Sequence, residues 1–231
     1  MDVLIIGDGL LGSELKRQNP DWEQISRKQG TFNMYDDSWK HKLINFDCVI
    51  NCIAHTDTYD PDPTKHMEVN VMWVTKFADI CNEMGIKGIH ISTDYLYANS
   101  ITNASETDIP LHHNSWYGYS KLVGDVTMQQ KSARSLVIRC GHKPKPFPYD
   151  KATTAIKGNF DYVDVIAEKI SQLILIDVYG LFNVGTELKT MYDLAVRTKP
   201  DVEKTDELPI ETMPTDVSMD LSKLKASIAQ R

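Results

Sequence analysis

The stretch that decides the fold is DVLIIGDGLLGSEL, residues 2–15. Its first five residues form a continuous apolar run, which is typical of a parallel strand buried on both faces. Gly7, Gly9 and Gly12 follow in the spacing G-x-G-x-x-G, and the pattern from Leu11 to Arg17 predicts a helix. A strand, a glycine-rich turn and a helix in this order are typical of a dinucleotide-binding βαβ unit.

Each glycine of this turn has a separate task in such a site. Gly7 permits the tight turn, Gly9 lets the backbone approach a pyrophosphate, and Gly12 lets the helix and strand pack closely. The backbone N–H groups of Leu10 and Leu11, at the start of the helix, then face the phosphates. The alternative is a turn with a structural role only. Its position between a buried strand and a helix favours the cofactor site.

The chain beyond this unit alternates strands with helices. Buried strands are predicted at 22–26, 46–54, 87–92 and 135–140, helices at 36–44, 64–85 and 115–131, and a long polar loop at 94–114. This alternation predicts an α/β fold with a doubly wound, Rossmann-like parallel sheet.

The alternation weakens after residue 140. A loop with three prolines is predicted at 141–151, helices at 162–176, 190–197 and 220–230, and a short strand at 181–185. We therefore divide the chain into a Rossmann-like core at 1–140 and a smaller part at 141–231 that is interleaved with the core.

Composition limits the partners of this protein. The chain has 231 residues, 42% of them hydrophobic and 25% charged, which suits one soluble α/β domain. The net charge of −7 disfavours nucleic acid or an anionic membrane as a partner, and no apolar run approaches the length that spans a bilayer. The first residues are already strand-like, which leaves no room for a signal peptide.

The cysteines indicate the compartment. They occur at 48, 52, 81 and 140, and they form neither a C-x-x-C pair nor a cluster with histidine. We interpret them as small buried hydrophobic residues in a reducing environment. This interpretation predicts a cytoplasmic protein without a metal site.

The residues after the second predicted strand indicate which dinucleotide binds. A site for NAD usually carries Asp or Glu there, for the ribose 2′-hydroxyl. This chain has Ser26, Arg27 and Lys28 instead. A carboxylate would repel a 2′-phosphate, whereas the guanidinium of Arg27 can pair with one and Lys28 adds a second positive charge. The three residues favour NADP(H), and the alternative is a solvated basic turn.

Two polar and aromatic clusters contain the candidate catalytic residues, STDYLYANS at 92–100 and WYGYSK at 116–121. The first follows a strand whose carboxyl end faces the same crevice as the glycine turn. Tyr117 and Lys121 are four residues apart and share one face of a helix. We expect the Lys121 ammonium to lower the pKa of the Tyr117 phenol, and the Thr93 hydroxyl to bond the phenol and the substrate oxygen. Together they make a proton donor beside a hydride source.

With these motifs the chain resembles an extended short-chain dehydrogenase/reductase, and within that superfamily the dTDP-4-dehydrorhamnose reductase group. The resemblance lies in GDGLLG at 7–12, DCVINCIAHT at 47–56, VNV at 69–71, HISTDYLY at 90–97 and YGYSKLVGD at 117–125. It implies an NADP-dependent sugar-nucleotide oxidoreductase that reduces a 4-keto-6-deoxy sugar nucleotide by hydride transfer, with tyrosine as the proton donor.

The resemblance also implies roles for single residues. Thr93, Tyr117 and Lys121 would form the catalytic triad, and the last two would also contact the cofactor. Cys52, Ile53 and Ala54 would line the cofactor, while Asp94 and Tyr95 would contact the sugar. Asn70 lies in the central helix, where the family often has an asparagine. The implied partner is a sugar-nucleotide substrate, with a homodimer as a possible assembly.

The carboxyl-terminal part departs from the family pattern. Residues 1–140 are expected to be the NADP-binding core with the catalytic residues, but the segment that builds the substrate pocket is shortened within 141–231. This reduced substrate-binding part leaves two other functions open. One is a non-catalytic, NADP-binding regulatory subunit, and the other is a sugar-nucleotide epimerase or dehydratase.

Overall fold

The computed structural model describes residues 1–98, 101–108 and 115–229. Its strands are β1 (Val3–Ile6), β2 (Glu23–Ile25), β3 (Cys48–Asn51), β4 (Lys87–Ile91), β5 (Ser135–Cys140), β6 (His142–Lys143), β7 (Lys151–Thr153), β8 (Lys157–Gly158), β9 (Asp161–Tyr162), β10 (Gly180–Val184), β11 (Lys189–Thr190), β12 (Glu203–Thr205) and β13 (Asp216–Val217). Within these ranges the main sheet has the order β10-β5-β4-β3-β1-β2, and each of its pairs is parallel. The predicted doubly wound parallel sheet is confirmed.

The helices lie between these strands. They are α1 (Leu10–Gln18), α2 (Pro63–Met67), α3 (Trp73–Glu83), α4 (Trp116–Lys131), α5 (Val163–Leu175), α6 (Met191–Ala195) and α7 (Ser222–Ala229). A π-helical segment, Glu68–Met72, joins α2 to α3, so the predicted helix over 64–85 contains one widened turn. The helix predicted at 36–44 is a 3₁₀ helix at Lys40–Asn45 instead. Among the described helices, none has the length and apolar character needed to cross a bilayer.

Alternate residues of the central strands face opposite sides of the sheet. Ile5 and Ile50 belong to a core that includes residues of α1, α5 and α7. Leu4 and Val49 pack instead in a core with Trp73 and its neighbours on α3. All four strand residues are fully buried. Because both faces are covered, the strands read as continuous apolar runs rather than as alternating ones.

The topology places a crevice at one point of the sheet. The strand β1 pairs with β2 on one side and with β3 on the other, so the order of the sheet reverses between β1 and β3. Ligands of open α/β sheets bind outside the carboxyl ends of the strands at such a reversal. Gly7, directly after β1, and Cys52, directly after β3, lie at this point.

The carboxyl-terminal part both completes the main sheet and adds small sheets of its own. Strand β10 pairs with β5, and α5 packs against α1. The orders β11-β8-β13, β12-β7 and β6-β9 describe the small sheets. The sequence did not predict most of these strands, and residues 141–151 contain β6 and the start of β7 rather than loop alone. The division of the chain at residue 140 into a cofactor-binding core and a substrate-binding part stays a prediction.

The long predicted loop at 94–114 is anchored to the carboxyl-terminal part. It starts with a 3₁₀ helix, Asp94–Tyr97. Ala104 donates its amide to Ser218 and accepts the amide of Asp220. Residues 99–100 and 109–114 of this loop lie outside the described residues, as does residue 230 of the last predicted helix.

Candidate active site

The glycine turn has the geometry that its sequence predicts. Gly7 has a φ of 110°, in the left-handed region that favours glycine, and a β-carbon there would lie 3.2 Å from the side chain of Ile53. A β-carbon on Gly12 would lie 2.3 Å from the Gly7 carbonyl oxygen. A β-carbon on Gly9, in contrast, would meet no atom within 4 Å. Gly7 and Gly12 are therefore closely packed against neighbouring atoms, whereas Gly9 faces open space.

The open side coincides with the start of α1. Gly9 is the N-cap residue, and no side chain caps this end of the helix. The first N–H groups of a helix have no partner within it, so those of Leu10 and Leu11 are free to bind an anion. Both residues, with Gly9, line a cavity at the carboxyl end of the sheet.

The end of β2 carries charges of both signs. Ser26 is buried, and its hydroxyl donates to Asp8 Oδ2 over 2.9 Å. Arg27 and Lys28 are exposed in the turn that follows. Asp8 was not predicted as a site residue, although its place between Gly7 and Gly9 could have indicated that it would face the end of β2.

Tyr117 lies near the start of α4, where Ser115 caps the helix by accepting the amide of Gly118. The tyrosine is half-buried. Burial raises the pKa of Tyr117 to about 12. A hydrogen bond with Thr93 has the opposite, smaller effect on this pKa. The phenol is consequently protonated at neutral pH.

Lys121 is 2% exposed, and its Nζ donates to the Ile91 carbonyl oxygen over 2.7 Å. Burial lowers the pKa of Lys121 to about 8, and Asp125 partly opposes that effect. The expectation that this lysine lowers the pKa of Tyr117 is wrong for this structure. The reason is that desolvation dominates at both groups and the ammonium is bonded to the backbone of β4.

Lys121 lies beside a network of buried polar side chains. The Lys121 Nζ lies 3.5 Å from His90 Nε2, and burial lowers the pKa of His90, so that imidazole is neutral. Asp125 Oδ2 accepts from Arg139 Nε over 3.0 Å, which pairs the buried carboxylate. Charges buried in this way persist only when they are paired and hydrogen-bonded.

Asn70 joins the catalytic helix to the loop after β3. Its Oδ1 accepts the amide of His55 over 2.9 Å, and its Nδ2 donates to the His55 carbonyl and to Ser120 Oγ, both over 3.0 Å. The residue is 1% exposed and lies in the π-helical segment. Asn70 thus fixes Ser120, the neighbour of Lys121, relative to the loop after β3.

The cavity has a volume of about 370 Å³. The predicted residues that line it are Gly9, Leu10, Leu11, Cys52, Ala54, Thr93, Tyr117 and Lys121. Thr56, Ile91, Ser92, Cys140, Gly141 and His142 line it as well and were not predicted. Ile53 lies against Gly7 at the back of the turn. The structure thus brings the glycine turn and the predicted catalytic residues Thr93, Tyr117 and Lys121 onto one cavity.

The two predicted sugar contacts differ in their surroundings. Asp94 is 7% exposed, and a β-carbon on Gly141 would lie 2.2 Å from its Oδ2. Burial raises the pKa of Asp94 to about 6, with Lys143 opposing. The ring of Tyr95 lies 5.9 Å from that of Tyr117. Both predicted sugar contacts therefore lie close to Tyr117, since the charge of Asp94 also acts on its phenol.

The Tyr95 hydroxyl bonds that of Tyr59 over 3.0 Å. Tyr59 was not predicted as a site residue, because it lies in the loop between β3 and α2, several residues after the end of β3.

A second cavity, of about 490 Å³, lies in the carboxyl-terminal part. Lys143 is on its wall, one residue after His142 of the first cavity. Phe147, Tyr149, Ile156 and Met191 supply apolar surface. The two residues of β6 therefore line the two cavities, His142 the first and Lys143 the second.

Comparisons with known proteins agree with this arrangement. The RmlD substrate binding domain family matches residues 1–142. The dTDP-4-dehydrorhamnose reductase of Shigella flexneri is 36% identical over 101 residues, which is 42% of this chain and 33% of that protein. The spore coat polysaccharide biosynthesis protein SpsK of Bacillus subtilis is 30% identical over 145 residues, 59% of this chain and 51% of that protein. The matches thus span only about a third to a half of those relatives' length.

Solved structures match over nearly the whole chain. A dTDP-4-dehydrorhamnose reductase from Clostridium acetobutylicum superposes with a TM-score of 0.78 at 22% identity, over 95% of this chain and 90% of that one. The dTDP-4-dehydrorhamnose reductase from Bacillus anthracis, in complex with NADP, gives 0.79 at 19% identity, over 98% and 93%. At such identities the likeness shows a common fold, which extends through the carboxyl-terminal part.

Proposed function

This chain belongs to the RmlD substrate binding domain family, and on that basis we propose that it is an NADPH-dependent oxidoreductase that reduces a 4-keto-6-deoxy sugar nucleotide. The observation that carries the proposal is the single cavity shared by the glycine turn, Thr93, Tyr117 and Lys121. Four curated relatives are named dTDP-4-dehydrorhamnose reductase, and one structure of the same fold holds NADP.

The residues around the turn fit a dinucleotide. The open space at Gly9 leaves room for a pyrophosphate, and the N–H groups of Leu10 and Leu11 would hold it. Arg27 and Lys28 would bind the 2′-phosphate, while Cys52 and Ala54 line the cavity. When bound, NADPH supplies the hydride.

Tyr117 would donate the proton to the keto oxygen. Its pKa of about 12 keeps the proton on the phenol at neutral pH, so that the phenol can donate it to the substrate oxygen. Thr93 would orient the phenol and the substrate oxygen. Lys121, with a pKa of about 8, is mostly charged at neutral pH and would hold the cofactor ribose.

The substrate would extend from this cavity toward the carboxyl-terminal part. We assign the sugar to Tyr95 and Asp94, beside Tyr117, and the rest of the sugar nucleotide to the cavity beyond Lys143. Residues 141–231 would then be the substrate-binding part. The four cysteines are free thiols, which supports a reducing, cytoplasmic setting.

The test is Tyr117→Phe, assayed by NADPH oxidation with a panel of 4-keto-6-deoxy sugar nucleotides. We expect turnover to fall by about 10²–10⁴-fold, the usual contribution of a positioned proton donor. NADPH affinity should hardly change. Tyr119→Phe is the matched control, since Tyr119 lies on the same helix and is 48% exposed.

Near-parent activity of Tyr117→Phe would contradict the assignment of the proton donor. A parent protein that binds NADPH but no sugar nucleotide would instead favour the regulatory-subunit alternative. Calorimetry on the NADPH-loaded protein separates these two results.

A further inference from the structure

A group of three ionisable side chains beside the catalytic cavity has no task in the proposed reduction. His55 and Asp60 lie in the loop between β3 and α2, and His66 belongs to α2. His55 Nε2 is 3.2 Å from Asp60 Oδ2, and the ring centroids of the two histidines are 4.5 Å apart. One ligand atom from each residue lies within 4.8 Å of the other two.

His66 is an unusual buried residue. It is fully buried, and neither of its ring nitrogens makes a hydrogen bond among the described residues. A polar contact with the backbone of Asp60 lacks the geometry of a hydrogen bond. Buried polar groups nearly always have partners, and an ion that completes the site is one explanation of an exception.

The backbone around the three residues is well fixed. Asn70 bonds both the amide and the carbonyl of His55. Asp60 Oδ1 accepts the amide of Asp62, which in turn caps α2 by accepting the amide of Thr64. The Oδ2 of Asp60 is thus turned toward His55 rather than toward the helix. Ligands held in this way lose little freedom when an ion binds.

We propose that His55, Asp60 and His66 form a binding site for a divalent transition-metal ion of the Zn²⁺ type. Two imidazoles and one carboxylate are a set that suits Zn²⁺, Co²⁺ and Ni²⁺, whereas Mg²⁺ and Ca²⁺ prefer oxygen ligands alone. Because Zn²⁺ binds these atoms at about 2.0–2.2 Å, it would draw the three side chains closer together. Three protein ligands leave a fourth position for water or a ligand atom.

The site lies next to the catalytic residues. The ring centroids of His66 and Tyr117 are 6.4 Å apart, and Thr56, the neighbour of His55, lines the catalytic cavity. A bound ion would tie the loop after β3 to α2 at the edge of that cavity. This inference does not depend on the reaction, because it concerns binding of the ion to the free protein.

The test uses full-length, chelator-treated protein without a histidine tag. Titration with ZnCl₂ in a calorimeter should give one equivalent of tight binding. His66→Gln and Asp60→Asn should each weaken the affinity by at least about 100-fold, since the loss of even an outer partner of a metal ligand costs about 10–100-fold. His41→Gln, at an exposed histidine, is the matched control and should bind like the parent.

Co²⁺ provides an independent readout. Its visible absorption should indicate a four-coordinate site of nitrogen and oxygen ligands, without the thiolate charge-transfer band that a cysteine ligand produces. Asp60→Asn keeps an acceptor for the amide of Asp62, so its fold should be retained even if His66→Gln misfolds. Substoichiometric binding, parent-like affinity in Asp60→Asn, or a thiolate band would each overturn the proposal.

Discussion

At the scale of single residues, we propose that opposite charges near the end of β2 set the choice between NADPH and NADH. The Asp8 carboxylate is bonded to Ser26, and Arg27 is exposed directly after it. A 2′-phosphate would be attracted by Arg27 and repelled by Asp8. We therefore expect the selectivity for NADPH over NADH to be the difference between the attraction of the 2′-phosphate by Arg27 and its repulsion by Asp8.

We expect Arg27→Ala to weaken NADPH binding about 10–100-fold, the loss of one charged hydrogen bond, and to change NADH binding much less. Asp8→Asn should shift the preference the other way, toward NADPH. Fluorescence titration with both nucleotides measures these changes, with Lys225→Ala on exposed α7 as the control. Equal affinities for NADPH and NADH in the parent protein would refute this account.

Asp94 should cost the protein stability. Its pKa of about 6, against an ordinary 3.8, means that the fold disfavours its charged form. Between these two pH values, Asp94 keeps its proton in the folded state but has lost it in the unfolded chain. The free energy of unfolding therefore falls as pH rises from the lower value to the higher one. Asp94→Asn should then stabilise the protein by up to about 3 kcal/mol at pH 7–8 and by almost nothing below about pH 4.

Urea unfolding at several pH values measures this gain, and Asp201→Asn, at an exposed acid, should show none. If Asp94 also contacts the sugar, the same variant raises KM. A variant that is less stable than the parent at pH 8 would show that the carboxylate is needed by the fold.

Lys121 should set the alkaline limit of activity. Its pKa of about 8 means that the ammonium is present below that pH and is lost above it. Because the profile of kcat/KM reports the free enzyme, it should be level near neutrality and fall above about pH 8. A profile that stays level to pH 10 would show that the charge on Lys121 is not required.

At the scale of elements, α4, which carries Tyr117 and Lys121, is placed by its close contact with the π-helical segment. A β-carbon on Gly124 would lie 2.5 Å from the Asn70 carbonyl oxygen. That contact lets α4 approach closely enough for Ser120 to reach Asn70. The wide turn at Glu68–Met72 thus helps to place Tyr117 and Lys121, and π-helical turns are often found at functional sites.

We expect Gly124→Ala to cost about 1–3 kcal/mol, as overpacking usually does, and to lower kcat because α4 is pushed away. Gly9→Ala is the contrasting variant. It faces open space, so it should leave stability nearly unchanged and weaken NADPH binding. Denaturant unfolding and nucleotide titration separate the two effects, and a destabilised Gly9→Ala would contradict this interpretation.

At the scale of the whole molecule, the region matched by the family is not a structural unit by itself. Residues 1–142 include the strands β1–β5, but α5 supplies Ile166, Ile170 and Leu173 to the core on one face of the sheet. Strand β10 also covers the edge of β5. The core on this face of the sheet is therefore complete only when α5 and β10, from the carboxyl-terminal part, are in place.

A chain that ends at residue 142 should not fold as a soluble monomer. It would expose the face of Ile5 and Ile50 to water, and each such side chain is worth about 1.5–3 kcal/mol when buried. Dye binding to apolar surface and the loss of a cooperative thermal transition would reveal this. A cooperative, monomeric fragment would show instead that residues 1–142 form an independent domain.

The sequence by itself determined the parts whose signal is local. The run 2–6, the glycine spacing and the four-residue separation of Tyr117 and Lys121 depend on strand and helix periodicity, which neighbouring residues set. These features predicted the parallel sheet, and they predicted which end of it would hold the cavity.

Only the tertiary structure decided the features that depend on distant contacts. The two-residue strands β8, β9 and β11 are too short for any periodicity, and their pairing partners lie far along the chain. The direction of the Tyr117 pKa shift depends above all on burial of the phenol. His55 and His66 approach each other because Asn70 and α2 fold the loop back. Electrostatics and ligand geometry follow from distances in space, which spacing along the chain does not specify.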